Sequence, residues 1–221
     1  MKLQLLENAP PSVYYIPNFI TECEEAIIIE KVNTAPKPKW TQLSNRRLQN
    51  WGGIPHPKGM IPEPLPEWLQ EYVNRVSQLE VFESVTKPNH VLINEYLPGQ
   101  GIMAHFDGPL FYPTVATISC GSHTLLNFMK PPEENLVQSK EKSFSLLLEP
   151  RSLLLLQDSM YHDYQHSIEE VLQDVITDSI VNLSETSQNN AIGNVLDRTT
   201  RISLTIRHVP KTTKLKIKLC R

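Results

Sequence analysis

The run His105-Phe106-Asp107 puts an imidazole and a carboxylate two residues apart. On an extended strand, residues i and i+2 project from the same face, so the two side chains can share one metal ion. An iron(II) centre that activates oxygen needs a third protein ligand and then open positions, the two-histidine, one-carboxylate facial triad. Three later histidines are candidates for that ligand: His123, His162 and His166. His166 comes 59 residues after Asp107, just beyond an apolar run that ends at Gln157, the order expected of a ligand delivered from a facing strand. His162, four residues earlier, is its main competitor. A His near an Asp is common on any protein surface, so this motif alone decides nothing.

A second set of residues shifts the balance. Arg201-Ile202-Ser203-Leu204-Thr205-Ile206-Arg207 alternates with period two, placing both arginines, Ser203 and Thr205 on one face and three aliphatic side chains on the other. A buried arginine is costly unless a carboxylate meets it, and a planar guanidinium suits a two-pronged grip on a dicarboxylate. The bland alternative is a polar face turned to solvent. Asn94 and Tyr96 are alternate residues on an apolar stretch that leads through Pro98-Gly99-Gln100-Gly101 into His105. An amide and a phenol there can hydrogen-bond the same dicarboxylate, or serve as ordinary satisfied strand residues.

The elements that must hold these groups follow from pattern. Thr21 with Glu24 three residues on is a capping box ahead of Ala26, Ile27 and Ile28. A second helix follows Pro66, with Trp68, Leu69, Tyr72, Val73, Val76 and Leu79 on one face. From about residue 89 the period changes, and 90–97, 115–120, 123–129, 143–149, 152–157 and 200–209 read as strands. Helices followed by strands give a mainly β protein with flanking helices (α+β), most economically a jelly-roll, cupin-like double-stranded β-helix. The proline clusters at 36–66 and Pro131-Pro132 read as loops. Within the mixed stretch 168–197, residues 169–181 read as a helix and the Ser/Asn-rich 184–194 as a flexible insertion.

Bulk properties set the outer limits. A chain of 221 residues with 40% apolar composition can bury a real core, and one catalytic domain over 1–221 is expected: N-terminal helices and substrate loops over 1–88, the β-helix over 89–221. The longest apolar runs, such as Leu153 to Leu156, are far shorter than the roughly 20 residues of a membrane span. The N-terminus lacks the apolar core and cleavage site of a signal peptide. Cys23, Cys120 and Cys220 have no metal or redox spacing and suit a reducing compartment. Cytoplasm and nucleus are therefore expected, with neither membrane association nor an obligate protein partner.

The motif Asn94-x-Tyr96-x-x-Gly99, His105-x-Asp107, His166 and Arg201 with Arg207 six residues later resembles the AlkB family of nucleic-acid dealkylating dioxygenases. The wording around it, including Pro-Lys-Pro-Lys-Trp at 36–40 and Leu48-Gln-Asn-Trp51-Gly-Gly, extends the similarity along nearly the whole chain. The resemblance implies that His105, Asp107 and His166 are catalytic and bind Fe(2+), and that Asn94, Tyr96, Arg201 and Arg207 contact 2-oxoglutarate. It also implies that O2 is the second co-substrate. The implied reaction couples decarboxylation of 2-oxoglutarate to succinate and carbon dioxide with hydroxylation of an N-alkyl carbon, and the hemiaminal then releases an aldehyde. The 35 residues from His166 to Arg201 exceed the family's usual spacing, which makes 168–197 an insertion.

A net charge of −3 hides two local basic segments. Residues 198–221 carry eight Lys or Arg and no acid, and residues 31–62 carry six and no acid. The second contains Trp40 and Trp51 beside Arg46 and Arg47, a basic and aromatic combination suited to phosphates and an exposed base; a modified base in a duplex would have to be flipped out. The alternative is that the tryptophans anchor a loop on the core. Tyr112, with Phe111, is placed to line the entrance or to pack in the core. Lys214, Lys216 and Lys218 alternate on 213–219 and read as a charged edge strand. Rival functions are a 2-oxoglutarate-dependent protein hydroxylase or demethylase, a nucleic-acid-binding module with little activity, and a cupin-like metal protein of other chemistry. The last two leave Asn94, Tyr96, Arg201 and Arg207 without a shared purpose.

Overall fold

The computed structural model describes residues 5–6, 9–83, 85–132, 143–187 and 190–213. The expected edge strand at 213–219 and its lysines lie almost wholly outside them.

Two antiparallel sheets face each other. The larger uses β1 (Val13–Ile16), β9 (Leu153–Gln157), β6 (Thr114–Cys120), β13 (Arg201–Arg207), β4 (His90–Tyr96), β3 (Arg46–Trp51) and β2 (Trp40–Leu43), in that spatial order. The smaller runs β5 (Ile102–His105), β10 (Gln165–Ile168), β7 (Thr124–Met129), β8 (Ser143–Leu148). Helices α1 (Glu22–Asn33) and α2 (Glu67–Ser77) cover the outer face of the larger sheet, and a short α3 (Asp158–Asp163) follows β9. This is the double-stranded β-helix with flanking helices.

Period-two patterning explains the layers. β9 reads Leu-Leu-Leu-Leu because it is buried on both faces: Leu153 and Leu155 join the helix layer, while Leu154 and Leu156 fill the space between sheets. On β13, Ile202, Leu204 and Ile206 pack under the helices, so Arg201, Ser203, Thr205 and Arg207 must face the interior between the sheets. The α1 capping box forms as expected, with Glu24 N donating to Thr21 Oγ1 at 3.2 Å and Thr21 N donating to Glu24 Oε2 at 2.7 Å. On α2 the buried face is Leu69, Tyr72, Val73 and Val76.

Two expectations fail. Residues 36–66 are not all loop, since β2 and β3 form a hairpin that extends the larger sheet beyond β4. The strand Arg46-Arg47-Leu48-Gln49-Asn50-Trp51 has almost no apolar alternation, and it is held by polar satisfaction instead. Fully buried Gln49 donates to Val32 O at 3.0 Å and accepts from Trp51 Nε1 at 2.9 Å. Nor is 169–181 a helix. β11 (Gln173–Val175) pairs with β12 (Val195–Asp197), and Ile176 and Ile180 pack on Leu147. A buried ion pair between Asp174 and Arg198, bidentate at 2.7 Å, and Asn182 bonded to both backbone groups of Leu147 tie this insertion to the core.

Candidate active site

A cavity of about 160 Å³ opens between the sheets. The larger sheet supplies Asn94 and Tyr96 from β4, Arg201, Ser203, Thr205 and Arg207 from β13, and Arg46 from β3. His105 and His166 enter from the smaller sheet, and Asp107 from the segment just after β5.

The histidine pair is made by strand pairing. His166 on β10 lies opposite His105 on β5, and their ring centroids are 4.4 Å apart. The next paired position is Ile168 with Ile102, so β5 spends one residue more than β10 between the two pairs. That bulge lets both Ile102 and His105 line the cavity although they are three apart in sequence. Gly101 permits the close approach: a Cβ there would stand 2.2 Å from Ile168 O. The other candidate ligands are elsewhere. His162 is exposed on α3. His123, at the β6–β7 turn, has its Nε2 3.1 Å from Asp174.

The protonation states favour metal binding. His105 Nδ1 is 2.9 Å from Met103 O, a carbonyl that can only accept, so Nδ1 carries the proton and Nε2 is left as the donor atom for a metal. Burial pulls His166 down to about 4, with the nearby Asp107 carboxylate opposing, so it is neutral at physiological pH. Asp107 Oδ1 accepts from Arg207 Nη1 at 2.7 Å. Among the described residues, no three acidic, His or Cys side chains already form a closed ligand cluster. The donor types and their shared cavity fit iron(II), with the Asp107 carboxylate drawn toward Arg207.

The arginines differ in their partners. Arg207 has Asp107 and lies 3.8 Å over the Phe111 ring, and its Nε has no hydrogen-bond partner. Arg201 is 5% exposed, bonds Ser119 Oγ at 2.9 Å, faces the Tyr96 ring at 5.8 Å, and has no acid partner among the described residues. Its Nε is also unsatisfied. Burial brings Arg201 down to about 10, which still leaves it charged at neutral pH. A buried guanidinium without a carboxylate is a site waiting for an anion. Pairing puts Arg201 opposite Tyr96 and Ser203 opposite Asn94, with Arg207 at the far end of the strand beside Asp107. The wall thus carries Arg201 near one end and Arg207 near the other.

The aromatic residues singled out in the sequence are mostly not at this cavity. Gln49 and Trp51 pair with Ile93 and Val91, whose side chains lie in the helix layer, and Trp40 pairs with Gln49. Trp40 and Trp51 therefore pack against that core, capped by Arg47 at 3.9 Å and Lys39 at 4.3 Å. Arg47 grips Glu95 at 2.6 and 2.7 Å on the same side. Tyr112 also packs there and bonds Glu83. Of the proposed substrate residues, Arg46 alone lines the cavity, and Phe111, next to Tyr112, is the aromatic that touches its wall through Arg207. His90 went unnoticed in the sequence: fully buried opposite Arg207, it stacks near Phe111 at 5.9 Å, and burial holds it down to about 3.

Residues 31–207 match the family model described as the 2OG-Fe(II) oxygenase superfamily. The chain belongs to that superfamily, in its AlkB family. A relative named probable RNA/DNA demethylase ALKBH6, from Danio rerio, is 55% identical over 94% of this chain and 89% of its own. The tRNA (carboxymethyluridine(34)-5-O)-methyltransferase ALKBH8 of Mus musculus is 30% identical, over 74% of this chain and 25% of its own. The solved structure of OsALKBH1 superposes with a TM-score of 0.58 at 13% identity, covering 93% of this chain and 99% of that one, which shows the shared fold. As an AlkB-family 2OG-Fe(II) oxygenase, the protein uses Fe(2+), 2-oxoglutarate and O2.

Proposed function

We propose that this AlkB-family dioxygenase oxidatively removes N-alkyl groups from DNA or RNA, with His105, Asp107 and His166 holding iron(II). Arg201 and Arg207, helped by Asn94 and Tyr96, hold 2-oxoglutarate. The observation that carries the site assignment is Arg201: buried, charged and without an acid partner, on the cavity wall across from the histidine pair. The nucleic-acid substrate is supported by the ALKBH6 relative, whose name describes an RNA/DNA demethylase.

Bound iron supplies oxygen activation, and the chain supplies the rest. Arg201 neutralises and orients the distal carboxylate; Asn94 and Tyr96 fix its position from the neighbouring strand. Arg207 pairs with the Asp107 carboxylate and fixes its direction. Leu92, Val115, Leu126, Leu148, Leu156 and Ile168 supply the apolar part of the lining.

The test is succinate and formaldehyde release from Fe(II)-loaded protein supplied with 2-oxoglutarate and a panel of N-methylated DNA and RNA oligonucleotides. Succinate and formaldehyde rising together with one or more oligonucleotides, and lost in Arg201→Ala, is the expected result. Arg201-dependent succinate that no oligonucleotide stimulates contradicts the nucleic-acid substrate and leaves a protein or small-molecule substrate.

A further inference from the structure

We propose that Arg46, at the start of β3, is a third guanidinium contact for the co-substrate, so that 2-oxoglutarate binding also fastens the β2–β3 hairpin to the wall of the cavity. This rests on the reading that 2-oxoglutarate lies against Arg201.

Register places Arg46 at the right level. Arg47 pairs with Glu95, which sets Arg46 beside Tyr96, and Tyr96 pairs with Arg201. Arg46, Tyr96 and Arg201 thus form one row across three adjacent strands, and all three line the cavity. The Arg46 Nε donates to Asn94 Oδ1 at 3.1 Å, a neutral partner. Other buried or half-buried arginines nearby have carboxylates: Arg47 has Glu95, Arg198 has Asp174, and Arg207 has Asp107. Arg46 and Arg201 have none among the described residues. Two guanidiniums without acids, set on one row of a small cavity, form a positive site that suits a carboxylate better than either does alone.

The hairpin is built to hold Arg46 there. On its other face the bidentate Arg47–Glu95 pair clamps β3 to β4. At the turn, the Asn45 side chain bonds Glu170, just past β10 on the opposing sheet. An anion at Arg46 adds a third tie between hairpin and core, supplied by the co-substrate. By linkage, a co-substrate that contacts Arg46 only in the paired hairpin opposes local opening of that hairpin.

The test uses the full chain loaded with redox-inert Mn(II). Calorimetric titration with 2-oxoglutarate should show at least a tenfold weaker Kd for Arg46→Ala, about 1.4 kcal/mol, with partial recovery in Arg46→Lys and an unchanged melting temperature. Hydrogen exchange of residues 40–51 should slow on adding 2-oxoglutarate to the wild type and not to Arg46→Ala. An Arg46→Ala Kd within twofold of wild type overturns the contact. Weaker binding with hairpin protection intact overturns the fastening. A wild type that binds no 2-oxoglutarate overturns the underlying cavity reading as well, and so is told apart from the first two.

Discussion

Arg207 stands between two demands. It pairs with Asp107 at 2.7 Å and stacks on Phe111 at 3.8 Å, while pairing on β4 places it opposite His90, a fully buried histidine whose Nδ1 has no partner. Burial first, and then the nearby guanidinium, push His90 down to about 3. The folded protein therefore keeps His90 neutral where the unfolded chain, titrating near 6.5, takes up a proton. The stability this gives is complete above pH 6.5 and is lost as pH falls from about 6.5 toward 3. Urea unfolding midpoints across that range should fall for the wild type and fall less steeply for His90→Phe; equal slopes would show that another group governs the acid limb. The chemistry-bearing residues were legible in the sequence where period two made them so. Arg201 and Arg207 alternate with aliphatics, and His105 and Asp107 are two apart. His90 was hidden because a lone histidine at a strand start carries no pattern.

At the scale of elements, the site depends on how closely β5 approaches β10. Gly101 has no room for a methyl, with Ile168 O 2.2 Å from where its Cβ would be. Gly101→Ala should push the strands apart and separate His105 from His166. Iron(II) affinity measured by competition with a chelator should drop about tenfold or more, with global unfolding shifted much less. An affinity loss that merely tracks loss of fold would refute the local effect. The insertion makes a different prediction. Asp174 and Arg198 are both buried and bidentate, so Asp174→Ala leaves a buried unpaired guanidinium and should cost about 3–5 kcal/mol of stability. A denaturant measurement giving under about 1 kcal/mol would mean that β11 and β12 are peripheral. These elements were the hardest to see beforehand. Residues 169–181 have enough apolar spacing to imitate a helix, and Asp174 and Arg198 meet only through the fold. The β2–β3 hairpin was missed because its strand is held by Arg47–Glu95 and buried Gln49 rather than by alternating hydrophobics. For Trp40 and Trp51 the structure favours the alternative of anchoring on the core, a choice that aromatic and basic residues in sequence could not make because they do not say which face of a sheet they occupy.

Across the whole molecule, the fold divides its labour by layer. Helices α1 and α2 and the apolar faces of β4, β6, β9 and β13 form one core, and the space between the two sheets holds a second apolar cluster that includes Leu126, Leu148, Leu154 and Leu156, beside a cavity with three guanidiniums and one carboxylate. The larger sheet carries the three guanidiniums, the smaller one the two histidines, and neither lines the cavity alone. The double-stranded β-helix was readable from the change of period near residue 89, because strands buried on both faces leave runs such as Leu153 to Leu156. The central claim is that His105, Asp107, His166 and Arg201 act as one iron and 2-oxoglutarate site. The direct measurement is the visible absorption that 2-oxoglutarate develops on binding protein-bound iron(II) without oxygen, compared across single variants. The account predicts the band in the wild type and in His162→Ala, its loss in His105→Ala, Asp107→Ala and His166→Ala, and its appearance in Arg201→Ala only at much higher 2-oxoglutarate. A band that survives His166→Ala and disappears in His162→Ala would contradict it.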